Sequence, residues 1–84
     1  LKAIHHFENA CSIFPYSFNY YFDLGRSYIL AQNFKKAYIS FEKAHQIVPK
    51  NILALEELVK TAFDLKMKNE TVYYGRKYLS IAPN

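Results

Sequence analysis

The chain has 84 residues, of which 51% are hydrophobic and 18% aromatic, and it carries a formal net charge of +4. This length and composition predict one small, folded, helix-permissive domain with a modest core. The single cysteine, Cys11, excludes an internal disulfide, no signal peptide is visible, and no apolar run approaches the roughly 18 residues of a membrane span.

The positive charge is spread along the chain. Eleven Lys and Arg residues interleave with seven Asp and Glu residues, and the densest basic cluster is Lys66 and Lys68. This distribution indicates solvated helix faces rather than a surface for nucleic acid or acidic lipid.

The first predicted helix spans residues 1–14 and ends before Pro15. Its apolar residues Ala3, Phe7 and Ala10 are spaced by four and three, which places them on one face of a helix. The chain opens within this pattern and without Met, so we expect it to be a fragment of a longer protein.

The second predicted helix spans residues 18–31, and Tyr21, Leu24 and Tyr28 form its apolar stripe. Gly25 also lies on the buried side. A glycine inside a helix costs about 1 kcal/mol relative to alanine, so Gly25 indicates that a neighbouring helix approaches closely at this point.

The third predicted helix spans residues 34–48, and its small and aromatic residues repeat the same spacing. Asn33 is the predicted N-cap, because its side chain can accept a hydrogen bond from the first turn. Pro49 ends the helix, because its ring clashes with a continuing turn. The second and third helices therefore form a helix-turn-helix hairpin.

A period of 34 residues runs through the chain. Pro15, Pro49 and Pro83 are separated by two steps of this length. At the same distance, Ala3, Phe7 and Ala10 correspond to Ala37, Phe41 and Ala44. A fixed period of this size is the sequence signature of a repeat array.

Residues 18–51 resemble a tetratricopeptide repeat, with Tyr21 where that family more often has Trp. All eight signature places hold the expected residue type in register: Tyr21, Leu24, Gly25, Tyr28, Ala37, Phe41, Ala44 and Pro49. The resemblance implies an all-α fold, an α-solenoid of antiparallel hairpins that stack into a right-handed superhelix. It divides the chain into the second helix of a truncated repeat (1–17), a full repeat (18–51) and a degenerate repeat (52–84).

The degenerate repeat is expected to contribute helices near 52–65 and 69–82, which makes five helices in all. Val59 replaces the signature glycine, and Gly75 stands where Phe is expected. We expect the bulk missing at Gly75 to come from neighbouring tyrosines, namely Tyr73, Tyr74 and Tyr78. Asn69 is expected to begin a capped fifth helix.

The resemblance implies a non-catalytic protein–protein interaction module that holds a peptide segment in a concave groove. The groove places of the family fall on Asn19, Phe22, Asp23, Arg26, Leu53, Glu56, Glu57, Lys60 and Phe63. Ile29, Leu30 and Asp64 occupy further groove places, and for Ile29 and Leu30 packing between repeats is an equal alternative. Apolar side chains of a ligand would contact Phe22, Ile29, Leu53 and Phe63, while Arg26 and Lys60 would hold a carboxylate. A clamp for acidic chaperone tails is disfavoured, because Phe22 stands where that sub-family has Lys.

Catalytic and metal-binding constellations are not expected. His5 and His6 are adjacent and point about 100° apart on a helix, so they cannot chelate one ion together. His45 occupies the repeat place of Cys11, but two such groups do not make a closed metal site. No paired carboxylates, nucleophile elbow or phosphate loop are present, so we predict no enzyme activity, cofactor or metal.

Two other functions are alternatives to the interaction module. The first is an accessory domain of a larger bacterial enzyme, such as a membrane polysaccharide polymerase, since the Lys-, Asn-, Ile- and Tyr-rich composition fits an AT-rich bacterial genome. The second is an RNA-binding helical repeat, although those repeats have a period nearer 35 and lack this signature. Nucleic-acid partners and membrane insertion of this segment are not expected. The sequence does not fix the compartment, although a cytoplasmic location is favoured.

Both terminal helices are expected to leave apolar surface open. The first presents Ala3, Phe7 and Ala10, and the last carries Tyr74, Tyr78, Leu79 and Ile81. Terminal repeats normally have a polar outer face, and large exposed apolar patches mark contacts. We therefore predict self-association, as a two-fold dimer or by end-to-end stacking.

Overall fold

The computed structural model describes residues 2–82, and this part of the chain is all-α, without strands. The helices are α1 (Lys2–Ile13), α2 (Phe18–Leu30), α3 (Phe34–Ile47), α4 (Ile52–Asp64) and α5 (Lys68–Ile81). The prediction of five helices is confirmed, and every predicted helix end lies within one residue of the observed one. Pro83, the third proline of the 34-residue period, lies outside the described residues.

The helices pack in chain order. α2 with α3 and α4 with α5 form two hairpins, α1 packs on α2, and α3 joins the first hairpin to α4. This arrangement is an all-α helical-hairpin repeat, as the sequence predicted. The handedness of its superhelix stays a prediction.

Polar side chains begin three of the five helices. Each accepts hydrogen bonds from backbone N–H groups of the first turn: Ser17 from Tyr20 at 3.3 Å, Asn33 from Lys36 at 3.3 Å, and Asn51 from Leu53 at 2.9 Å and Ala54 at 3.3 Å. These bonds satisfy donors that have no partner within the helix. The predicted cap at Asn33 is confirmed.

The turns inside the two hairpins repeat one backbone conformation. Gln32 and Lys66, which are 34 residues apart, have φ angles of 59° and 60°. The predicted capped start of α5 at Asn69 is wrong, because the N-cap is Met67, whose side chain makes no capping bond. Met67 instead packs against the core. The repeated turn therefore sets the start of α5, and the polar residues that follow do not.

The first hairpin is held by the contact of Phe41 with Gly25. The Phe41 ring is fully buried, and it belongs to one core cluster with Leu58 and Ala62 of α4. A Cβ atom on Gly25 would lie 2.6 Å from the Phe41 Cε1 atom, and 2.8 Å from both Cδ1 and Cζ. The expected close approach at Gly25 is thus confirmed, and its cause is an aromatic ring between the helices.

In the second hairpin the large and the small residue of this contact exchange helices. Val59 stands at the place of Gly25 and Gly75 at the place of Phe41, and a Cβ atom on Gly75 would meet nothing within 4 Å. The expectation that neighbouring tyrosines fill this space is wrong for Tyr73 and Tyr74, whereas Tyr78 borders the groove at Gly75. Tyr73 is exposed, and Tyr74 packs toward α3 instead. As a result α5 buries no residue fully.

Within residues 2–82, no helix combines the length and the apolarity needed to cross a bilayer.

Enlarging the small residues of the first hairpin should destabilise the fold. Gly25→Leu would drive a side chain into the Phe41 ring, and Ala44→Phe would overfill a site with no exposed area. Overpacking of this kind costs about 1–3 kcal/mol, so both variants should lower the free energy of unfolding measured by urea titration.

Gly75→Ala is the matched control. It adds a methyl group in open space and removes a helix glycine, so it should raise the free energy of unfolding by up to about 1 kcal/mol at low protein concentration. Equal losses at Gly25 and Gly75 would contradict the packing described here.

Candidate functional site

The nine predicted groove residues all lie on α2 and α4, the first helices of the two hairpins, and all are at least partly exposed. The opposite sides of both helices are buried, for example at Leu24 and Leu58. Leu53 and Phe63 have 54% and 71% of their surface exposed, so the exposed side of α4 offers apolar as well as polar contacts.

Phe22 has a structural role that the sequence reasoning did not assign. Its ring stacks on Phe18 at 5.6 Å between ring centroids and meets the Phe41 ring edge-on at 5.5 Å. It also packs against the core. Replacing Phe22 would therefore disturb the hairpin as well as any ligand contact.

The two candidate cations of the face differ. The Lys60 Nζ atom lies 3.8 Å from a carboxylate oxygen of Glu56 and 3.6 Å from one of Glu57, so its charge is compensated within α4. No ion pair of Arg26 occurs among the described residues. Of the two, only Lys60 has an acidic partner among the described residues.

Three of the nine residues also border grooves between α4 and α5. Phe63 lines a groove of about 620 Å³ that Val72 also borders. Glu56 and Lys60 line one of about 330 Å³ with Val59, Gly75, Tyr78 and Leu79. The apolar residues Val59, Phe63, Val72, Gly75 and Leu79 are called the outer face below. The sequence predicted open apolar surface on the last helix, including Leu79, but did not place Val59, Phe63 or Val72 on it.

A buried polar cluster joins α3 to α5. The Tyr74 ring meets Tyr38 at 6.3 Å and His45 at 5.7 Å between ring centroids, both edge-on. Burial raises the pKa of Tyr38, Tyr74 and Glu42. Burial also lowers the pKa of His45, and repulsion from Lys77 adds to this shift. The His45 Nδ1 atom is buried and has no hydrogen-bond partner among the described residues.

The junction of α1 with the first hairpin holds the related pair Glu8 and Tyr28. The Tyr28 hydroxyl donates a hydrogen bond to Glu8, and burial with this bond raises the pKa of Tyr28 to about 12. Cys11 lies in the same region, is buried, and has its thiol pKa raised by burial. It therefore packs as a small apolar residue.

The buried hydroxyls serve the helices themselves. Ser27, Ser40 and Thr61 each donate to the carbonyl four residues earlier, at 3.0, 3.0 and 2.6 Å. Residues 2–82 hold no group of three or more His, Cys, Asp or Glu side chains arranged to bind a metal ion.

Stacked helical hairpins with small residues at their contacts define a class of repeat proteins that use their surfaces for binding. A family model described as tetratricopeptide repeat matches residues 18–51. These residues form a tetratricopeptide repeat, and the five helices are consistent with about two and a half repeats. No curated protein sequence matches this chain. The repeat indicates a protein–protein interaction module in general terms, from a family that is generally non-catalytic.

The stability of the chain should fall with acidification below pH 6.5 because of His45. Its lowered pKa means that the folded state binds the proton more weakly than the unfolded state. Its contribution is therefore complete above 6.5, the usual histidine value, and is lost as the pH falls through the folded-state pKa. His45→Gln should flatten this dependence, by at most about 1.4 kcal/mol per pH unit.

The measurement is urea unfolding of wild type and variant at about pH 7.5 and about pH 5.5, a range that covers the usual histidine titration. The raised pKa of Glu42 acts in the opposite sense, and comparing the two proteins cancels its contribution. His6→Gln, at an exposed histidine, should keep the wild-type dependence. Identical slopes for wild type and His45→Gln would contradict the prediction.

Proposed function

We propose that this chain is a protein-interaction module that binds an extended or helical peptide segment along α2 and α4. The observation that supports this most is the division of both helices into a buried side and a side on which all nine groove residues keep exposed surface. The tetratricopeptide repeat at residues 18–51 supports the same class of function.

The chemistry of the face favours a peptide that combines apolar side chains with a carboxylate. Leu53 and Phe63 supply exposed apolar area, and Arg26 supplies a guanidinium that can bind a carboxylate through two hydrogen bonds. Lys60 contributes less, because Glu56 and Glu57 already compensate it. Phe22 supports the face from below by its contact with Phe41.

Peptides selected from a random display library with the wild-type chain should test this assignment. Arg26→Ala and Leu53→Ala each remove an exposed group of the face and should weaken the selected peptides roughly tenfold, or about 1.4 kcal/mol. Both variants should retain the wild-type circular dichroism spectrum.

Lys35→Ala and Ile39→Ala, exposed positions on α3, are the matched controls and should leave the affinity unchanged. Selected peptides that lose affinity with the α3 variants, and not with Arg26→Ala or Leu53→Ala, would place binding elsewhere.

We also propose that the 84-residue chain self-associates, and the outer face is the observation that favours this. Val72, Phe63 and Leu79 have 53%, 71% and 75% of their surface exposed, side by side on one hairpin. The exposed apolar surface of α1 is smaller than the sequence predicted, because Ala10 is buried and Phe7 packs against the core.

Static light scattering over a tenfold concentration range tests self-association. The weight-average mass of the chain should rise with concentration from that of one chain toward that of two. A mass that stays at one chain throughout would refute this proposal and leave the peptide-binding proposal untouched.

A further inference from the structure

A cleft of about 570 Å³ lies between α3 and the start of α5, and aromatic rings form much of its lining. Tyr38, Tyr73 and Tyr74 all border it. The Tyr74 ring stands at 72° to the Tyr73 ring and at 68° to the Tyr38 ring, with centroids 5.1 and 6.3 Å apart. The rings therefore meet at steep angles, so a small group in the cleft can contact more than one of them.

The charged residues that border this cleft are both acidic. Glu42 comes from α3 and Glu70 from the first turn of α5, and Met67 and Asn69 complete the lining. Neither carboxylate forms an ion pair within the described part of the chain. Burial raises the pKa of Glu42, and repulsion from Glu70 adds to this shift while the Tyr74 hydroxyl opposes it. The two carboxylates are thus close enough to repel each other, and a cation between them would relieve this repulsion.

Two basic residues lie against the tyrosines without bordering the cleft. The Lys77 Nζ atom is 4.8 Å from the centre of the Tyr73 ring. His45 meets Tyr74 edge-on, and its lowered pKa keeps it uncharged at neutral pH. The contact of Lys77 shows that a ring of this cleft accepts a cation, as the partial negative charge of an aromatic face favours.

The groove at the first junction provides a comparison within the chain. It measures about 410 Å³ and is bordered by Glu8, which stands at the repeat place of Glu42. Lys36, at the repeat place of Glu70, borders the same groove, and so does Lys43. The first groove therefore carries cations of its own, whereas the cleft at the second junction is lined by acidic groups alone. A cleft lined by one sign of charge attracts ligands of the other sign.

We propose that this cleft binds an arginine side chain of a partner protein. The planar guanidinium of arginine stacks on aromatic rings and forms paired hydrogen bonds with carboxylates, and the cleft presents both kinds of group together. A quaternary ammonium ion would use the rings but has no donor for Glu42 and Glu70, and a lysine ammonium lacks the planar pair of donors. The cleft lies on α3 and α5, so this proposal does not rest on the peptide-binding face of α2 and α4.

The test is an NMR titration of the isotope-labelled chain with N-acetylarginine methylamide. This compound should shift the backbone signals of Glu42 and of the first turn of α5 in a saturable way. Its citrulline counterpart keeps the shape of the side chain without the charge, and it should bind about tenfold more weakly or worse. Glu70→Gln and Tyr73→Ala each remove one partner of the guanidinium and should raise the dissociation constant of the arginine compound about threefold or more. Both positions keep exposed surface, so both variants should retain the wild-type circular dichroism spectrum.

Glu8→Gln and Tyr16→Ala are the matched controls. They make the same chemical changes at the first junction and at a tyrosine with 86% of its surface exposed, and neither residue borders the cleft. Both variants should bind the arginine compound as the wild type does.

Equal binding of the arginine and citrulline compounds, or shifts confined to the first junction, would overturn the proposal. Tighter binding of the corresponding trimethyllysine compound would assign the cleft to quaternary ammonium groups and overturn its assignment to arginine. The absence of any saturable shift with the arginine compound would refute cation binding at this cleft. Each of these results leaves the peptide-binding proposal for α2 and α4 standing, because the groups involved lie on different helices.

Discussion

The contact between the Phe41 ring and Gly25 is the constraint on which the rest of the structure depends. The absence of a Cβ atom at Gly25 lets the ring lie between α2 and α3, and the same ring belongs to the cluster with α4. One side chain therefore joins three helices. It also supports the candidate binding face from below, because Phe22 rests against its edge.

The second hairpin keeps the two-helix architecture but exchanges the large and the small residue between its two helices. Val59 and Gly75 place a branched side chain on the first helix and leave none on the second. Within the hairpin this exchange preserves the contact between the helices, but it removes the ring that would project toward a following element. The outer face and the open space at Gly75 are the direct consequence.

Polar groups at the helix junctions recur at the 34-residue spacing, but their contact partners differ. Glu8 and Glu42 are 34 residues apart, and each has a tyrosine near it, from α2 in one case and from α5 in the other. Burial raises the pKa of both tyrosines, Tyr28 and Tyr74. His45 occupies the place of Cys11 and brings a titratable ring into the second junction, where burial lowers its pKa.

The sequence by itself determined the helices, their order and the closest contact. The apolar periodicity of each helix and the N-cap at Asn33 depend only on residues that are close together in the chain, so the sequence alone locates the helices. The 34-residue period then identifies the repeat. Only the tertiary structure decided that α5 begins after Met67, that Tyr74 turns toward α3, and that the space at Gly75 stays open. Each of these depends on what a neighbouring helix presents across a gap. A residue's spacing along its own helix tells which way it faces, whereas the partner it meets is fixed only when the hairpins stack.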